Sequence, residues 1–282
     1  ALAISPSEPD VIYAGFDSND MSIWRSDDAG STWVHVDESA HVTGVAVKPT
    51  DSRTVIHGVV EGDLIFSSEG GSGSEVALTL RGTENYRFSA VAYAPSDPEI
   101  AYTASSGARE GSEGRTGDSA EVYVSVNSGK NWSLAGVCAG CGFLHTIIVD
   151  PTNASLLYAA TATGVRLSND GGSTWTENLL TNLNSREANI LGLALQPGST
   201  GRILAATSEH GVFRTEDGGA NWVESSTGLD TTMTHEVVFA LNEPDVAYVT
   251  THRGVYRSDD GGRTWTRRSG GLTYEFVRAI AV

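Results

Sequence analysis

Acidic side chains occur in this sequence at places where they could carry out hydrolysis. Cleavage of a glycosidic bond needs two facing carboxyl groups, one kept protonated by its surroundings and one ionised. Glu236 or Glu275, opposite Asp63 or Asp17, could supply such a pair. A sequence does not give the distance across a pocket, so these four residues are candidates for a catalytic role.

A second group of polar residues stands at the entrances of predicted inner strands and in the loops beside them. Single polar residues at such places usually belong to a solvated rim, but their concentration points to a shared binding site. The candidates for ligand contact are His41, Arg87, His145, His235, His252, Arg253 and Arg278. Three of these histidines, His145, His235 and His252, could also hold copper or zinc together with His210. No metal-ligand spacing supports this alternative, so we predict no metal and no cofactor.

These residues are positioned by a repeat, whose clearest copy is Ser258 to Trp265 (SDDGGRTW). Similar stretches begin at Ser26, Ser125, Ser168 and Thr215, and a degenerate stretch (SSEGGSGS) begins at Ser67. A fixed-period repeat with one turn in each unit is typical of a propeller or a solenoid.

Each repeat has the composition of a tight β-hairpin turn. Asp or Asn can accept hydrogen bonds from backbone N–H groups nearby, Gly supplies positive φ, and Ser or Thr hydroxyls close the loop. The tryptophan begins the return strand, where it can pack between units. We therefore assign structural roles to Asp28, Asn127, Asp170, Asp217 and Asp260 and to Trp33, Trp132, Trp175, Trp222 and Trp265.

The repeat register predicts an all-β, six-bladed β-propeller of four-stranded antiparallel blades, labelled A to D from the axis outwards. In every unit a second apolar segment begins seven residues after the position of Pro6 or its equivalent. The predicted repeats are 1–40, 41–85, 86–142, 143–188, 189–232 and 233–275, within one domain. Residues 276–282 resemble another strand A and are predicted to close the ring. Seven blades remain the alternative.

Meander connectivity sorts the loops onto two faces. The A–B and C–D turns, which include all the repeated corners, share one face, and the B–C and D–A loops share the other. The longest insertion, residues 105–120, belongs to the second face and is either a solvated loop or a lid over a central pocket.

The corners resemble the Asp-box, or BNR repeat, of sialidases, family 74 xyloglucanases, sortilin-type receptors and the photosystem II assembly factor. This resemblance implies the propeller fold across the whole chain, and in those families the box lies away from the active site. The Arg-Ile-Pro segment of sialidases does not occur here. The cleft between two propellers in family 74 enzymes needs a longer chain, so no residue role is transferred from them.

Charge and composition restrict the partners. The formal net charge is −17, which disfavours nucleic acid and anionic membranes. No apolar run is long enough for a membrane-spanning helix. We expect a protein or carbohydrate ligand, while the oligomeric state is left open.

The two cysteines, Cys138 and Cys141, allow three interpretations: a small disulfide loop in an exported protein, two unpaired thiols, or a metal or redox pair with His145. Export would place the protein in an extracellular or periplasmic compartment. Two functions follow: a non-catalytic binding or assembly scaffold that uses the B–C/D–A face, or a glycoside hydrolase with paired carboxylates around the axis.

Overall fold

The computed structural model of the chain describes residues 1–18, 21–38, 41–60, 62–80, 87–106, 119–181, 183, 188–272 and 276–282. The side chains of Asp17 and Arg87 fall outside this description, as do Glu275 and most of the 105–120 insertion. The described residues contain no helix with the length and apolar character needed to cross a bilayer.

The strands form six antiparallel sheets in chain order, which confirms the six-bladed propeller. The first three blades are built from β1 (Leu2–Ile4), β2 (Ile12–Ser18), β3 (Met21–Ser26) and β4 (Val34–Asp37); β5 (Val42–Lys48), β6 (Asp51–Val59), β7 (Asp63–Ser67) and β8 (Glu75–Thr79); and β9 (Arg87–Ala94), β10 (Asp97–Ser106), β11 (Ser119–Ser125) and β12 (Ser133–Ala139).

The last three blades have the same meander order, except that the fourth has three strands. They are built from β13 (Leu144–Val149), β14 (Leu157–Thr161) and β15 (Gly164–Ser168); β16 (Ile190–Leu195), β17 (Ile203–Thr207), β18 (Val212–Thr215) and β19 (Val223–Glu224); and β20 (Thr234–Ala240), β21 (Glu243–Thr251), β22 (Gly254–Ser258) and β23 (Thr266–Arg267).

The missing outer strand of the fourth blade corrects the expectation of four strands in every blade. The chain still runs beside β15, because Thr176 N–H donates to the Leu167 carbonyl and Leu179 N–H donates to the Val165 carbonyl, both at 2.9 Å. Leu167 N–H, however, donates to the Thr176 hydroxyl at 3.1 Å, and the Thr176 carbonyl accepts from the Arg166 guanidinium. A side-chain oxygen thus takes the place of a backbone carbonyl, and the regular ladder is lost.

The apolar core is divided among the interfaces between neighbouring blades. For example, one buried cluster joins Ala104 and Val122 of the third blade to Leu144 and Leu157 of the fourth. Innermost strands contact the next blade, as the neighbouring pairs β5 and β9, and β13 and β16, show. Burial between blades therefore holds the ring together, since hydrophobic stabilisation follows the apolar area removed from water.

The repeated corners all lie against the A–B turns, as the meander predicts. In every blade a backbone N–H of the corner donates to a carbonyl in the A–B turn, or in the first residues of strand B, of the same blade. The six pairs are Ala29 with Asp10, Gly70 with Arg53, Ser128 with Glu99, Gly171 with Ser155, Gly218 with Gly201, and Gly261 with Asp245.

The expected closing strand at residues 276–282 is not formed, and this is a correction. Strand β1 already provides the inner strand of the first blade by pairing with β2, so that position is filled. Residues 276–282 instead run beside the sixth blade, where Val277 N–H donates to the Thr251 carbonyl at 3.3 Å.

Candidate functional site

The innermost strands surround a cavity of about 660 Å³ on the propeller axis. Every blade contributes: the lining includes Ala1, Leu2, Thr43, Gly44, Val45, Ser89, Ala90, Val91, His145, Thr146, Ile147, Leu191, His235 and Glu236. His252, Phe276, Arg278 and Ala279 complete it. Because His252 belongs to a B–C turn and His235 begins a strand A, the cavity lies at the loop face predicted to bind ligands.

Three rings form a cluster on one side of this axial cavity. The imidazoles of His235 and His252 stack with 4.7 Å between their centroids and an interplanar angle of 20°. The edge of the Phe276 ring meets both, with centroids 5.1 Å from His235 and 4.6 Å from His252. The Arg278 guanidinium lies 5.1 Å from the Phe276 centroid, a cation–π contact. Together these side chains present an aromatic surface with a charged edge.

Glu236 is next to this cluster and largely withdrawn from solvent. Its Oε2 accepts a hydrogen bond from the Ile280 backbone N–H at 2.9 Å. Burial raises the pKa of the Glu236 carboxyl because the ionised form loses hydration, while the bond from Ile280 opposes this change. A protonated carboxyl in a cavity can donate a hydrogen bond or a proton to a ligand.

The two histidines within strands A have different surroundings. His145 Nε2 lies 3.1 Å from Asn189 Oδ1. Burial lowers the pKa of His145, and the contact with Asn189 opposes the decrease. Burial, followed by the nearby His252 and Arg278, lowers the pKa of His235. His235 Nε2 is buried and has no hydrogen-bond partner among the described residues.

The structure therefore brings together Glu236, His145, His235, His252 and Arg278 and places the other described candidates elsewhere. Asp63 begins β7 and pairs with Thr79. His41 has a left-handed backbone (φ 55°), and its carbonyl accepts from Val60 N–H. Arg253 lines a neighbouring groove of about 720 Å³, which His252 also lines. Asp17 and Arg87, through their side chains, and Glu275 lie outside the described residues.

Glu236 is the one carboxylate among the described residues that line the axial cavity. The paired carboxylates of a glycosidase are therefore not assembled by the described side chains, and Asp63 does not face Glu236 across it. In the described part of the chain, no three His, Cys, Asp or Glu side chains converge as a metal site. The stacked arrangement of His235 and His252 presents ring faces to each other rather than two nitrogens to one ion.

Sequence reasoning missed Phe276, which contacts both stacked histidines. The available signal was its position directly after Glu275, at the entrance of a segment with a strand A pattern. Charged and imidazole side chains do not point to it, because the site is formed by ring faces as much as by polar groups.

The Asp and Asn residues of the corners accept the hydrogen bonds of a tight turn. Asp260 Oδ1 accepts from the Ser258 hydroxyl at 2.7 Å and from Thr264 N–H at 2.9 Å, and its Oδ2 accepts from the Thr264 hydroxyl at 2.6 Å. Equivalent bonds to Asp28, Asn127, Asp170 and Asp217 occur in the other corners that carry an Asp or Asn. Hydrogen bonds from Asn221 and Thr215 lower the pKa of Asp217 to about 2.

Comparison with known proteins supports this assignment. The sequence profile of the BNR/Asp-box repeat matches residues 256–267, which include the last corner. The chain carries BNR/Asp-box repeats. No curated protein sequence matches it.

The solved structures similar to this Asp-box propeller include two GH74 enzymes. An ancestral GH74 enzyme has a TM-score of 0.75 and 20% identity over 95% of this chain and 38% of that enzyme. The Niastella koreensis GH74 enzyme has a TM-score of 0.70 and 20% identity, with coverage of 94% and 46%. Saccharomyces cerevisiae Sqt1 has a TM-score of 0.66 and 11% identity, with coverage of 97% and 74%. The chain spans less than half of each GH74 enzyme, and these identities show a shared fold.

Proposed function

We propose that this chain is a binding or assembly propeller that holds a protein or glycan ligand at its B–C/D–A loop face, with one part of the ligand in the axial cavity. The observation that carries the proposal is the ring cluster of His235, His252 and Phe276 beside a single partly buried carboxyl, Glu236. A catalytic pair would need a second carboxyl group opposite, and Glu236 is the one acid among the described lining residues.

The chemistry of the cavity fits a ligand with both apolar faces and polar edges. Ring faces can pack against the C–H surface of a sugar or against an apolar side chain. The Glu236 carboxyl and the unpartnered His235 Nε2 offer hydrogen bonds to hydroxyl or amide groups. A buried polar atom without a protein partner costs free energy, and a ligand that supplies the missing bond recovers that cost.

The proposed compartment is extracellular or periplasmic. Cys138 and Cys141 are joined by a disulfide and are both fully buried. Disulfides persist in oxidising compartments, and the net charge of −17 suits a soluble protein that avoids polyanions.

Hydrolysis of a glycoside is the second candidate function. The raised pKa of the Glu236 carboxyl favours it, since a general acid must hold its proton near neutral pH. The fold is also similar to that of the GH74 enzymes. The partner carboxylate would have to come from outside the described side chains, with Asp17 and Glu275 as the candidates.

One experiment separates the two functions. The protein is titrated calorimetrically with cello-oligosaccharides, xyloglucan oligosaccharides and a library of short soluble peptides, and release of reducing ends is measured in parallel. Binding that weakens about tenfold or more in Phe276→Ala, without any product, supports the binding propeller. Leu272→Ala is the matched control, because Leu272 is exposed nearby in the same C-terminal region.

Release of reducing ends that is lost in Glu236→Gln would instead support the hydrolase. Glu209→Gln is the control for this variant, because Glu209 is an exposed acid in a B–C turn on the same face. Binding that is unchanged in Phe276→Ala would reject the axial cavity as the site.

A further inference from the structure

Five buried clusters lie at interfaces between successive blades, and four of them share one feature. Each of the four contains, or packs against, the corner tryptophan of the later blade: Trp132, Trp175, Trp222 and Trp265. Trp265 also reaches the earlier blade by a hydrogen bond, since its Nε1 donates to the Ser225 carbonyl at 2.7 Å. The corner tryptophan is therefore the side chain that fills the outer part of an interface.

The interface between the first and second blades lacks this feature. Its cluster contains Tyr13 and Ile23 of the first blade and Val55 and Ile65 of the second. The corner of the second blade is the degenerate copy SSEGGSGS, and Ser74 stands where the other corners have tryptophan.

Ser74 preserves the corner without filling the interface. Its Oγ donates to the Gly71 carbonyl at 2.9 Å. Two of the four interface tryptophans make the equivalent bond through Nε1: Trp132 donates to Gly129 at 2.8 Å and Trp175 donates to Gly172 at 3.0 Å. The turn is therefore intact, and the buried cluster at this interface contains no corner tryptophan.

A groove of about 370 Å³ occurs at this interface. It is lined by Arg25, Asp27, Val34, Val36, Arg53, Glu69, Gly70 and Ser72. Val34 and Val36 provide an apolar wall, and Val36 packs against the buried cluster. Val34 is 62% exposed, so this wall is open to solvent.

The polar side of the groove is suited to an aromatic guest. The Arg25 guanidinium already lies 5.7 Å from the Tyr13 ring centroid and is held by Asp27 at 2.6 Å. Guanidinium groups stack on aromatic rings, and indole is the strongest partner for such contacts. Arg53 and Glu69 are exposed at the rim and could pair with charges on either side of the guest.

We propose that this groove binds an aromatic side chain, preferably tryptophan, presented by an extended segment of a partner protein. The guest would pack at the one described interface cluster to which no corner tryptophan contributes. The groove lies on the Asp-box face, away from the axial cavity, so this inference is independent of the proposed function.

The test uses N-acetyl-tryptophanamide as the probe and saturation-transfer NMR as the measurement. An isolated side chain is expected to bind weakly, so the probe is supplied at about 5 mM, in the range of a millimolar Kd. Val34→Glu places a charge against the ring and should reduce the transfer at least about fivefold. Val223→Glu is the matched control, because Val223 also follows a corner tryptophan and is 50% exposed, but it lies outside the groove.

A second variant fills the groove from within the chain. Ser74→Trp should abolish the transfer and raise the Tm by roughly 2 °C or more, because the new ring packs against Val36. The proposal is overturned if the wild-type protein shows no transfer or if both variants keep the wild-type signal. It is also overturned if Phe276→Ala, rather than these variants, removes the signal.

Discussion

His235 and His252 stack face to face in the axial cavity, with 4.7 Å between their ring centroids. They come from different elements, the inner strand β20 and the turn after β21, so the contact depends on the sixth blade being correctly folded. Two imidazoles at this distance cannot both accept protons without mutual repulsion. The charge on the two rings therefore affects how favourable their stacked contact is.

We expect acidification to destabilise the protein through His235. Its pKa is lower in the folded state than in an unfolded chain, so the unfolded chain binds the proton more readily. Stability from this group is complete above the unfolded pKa of about 6.5 and is lost as pH falls below it. His145, whose pKa is also lowered, adds a decrease of the same sign.

Urea unfolding between pH 8 and pH 5 measures this effect. His235→Gln should lose less stability over this range than the wild type does. His210→Gln is the control, since His210 lies in a turn outside the axial cavity. Equal pH dependence in wild type and His235→Gln would contradict the assignment.

The corner tryptophans should differ in their contributions to stability according to their burial. Trp265 is 4% exposed and bonded to the neighbouring blade, whereas Trp33 is 36% exposed. Trp265→Ala should lower the free energy of unfolding by about 3–5 kcal/mol, because a large buried side chain leaves a cavity. Trp33→Ala should cost roughly 1 kcal/mol. Denaturant midpoints of the two variants test this order, and equal losses would refute the assigned packing.

The disulfide between Cys138 and Cys141 predicts a specific alkylation pattern. In urea without reductant, iodoacetamide should add no mass, and after reduction it should add two groups. The Cys138→Ala, Cys141→Ala double variant should lose roughly 2 kcal/mol, in line with the entropy of a very short closed loop. Alkylation of both cysteines before reduction would mean that the two thiols are unpaired.

Much of the fold could be predicted because the corners are determined by hydrogen bonds between residues close in the sequence. Asp170 bonds to Thr174, four residues away, so one short segment determines the turn that it makes. Repetition of such turns at a regular spacing then requires a ring of sheets. The exception in the fourth blade depends on where one side chain, Thr176, places its hydroxyl, and no repeat pattern contains that information.

The site could be predicted less completely than the fold. Meander connectivity predicts that His252 and His235 share one face, and their rings stack there. The pairing of Glu236 with a second carboxylate depends on distances across the axis, which a sequence does not contain. Residues 276–282 have the composition of a strand, but β1 occupies the inner position in the first blade. Competition between two similar segments for one position cannot be resolved from composition.

The bond between each Asp-box corner and the A–B turn of its own blade separates two tasks within the repeat. Hydrogen bonds within one blade hold its corner in place, while the corner tryptophan, such as Trp265, packs against the neighbouring blade. A repeat such as the second can therefore lose its ring and keep its shape, as Ser74 shows. A corner can thus vary at its tryptophan position without changing the turn that orders its blade.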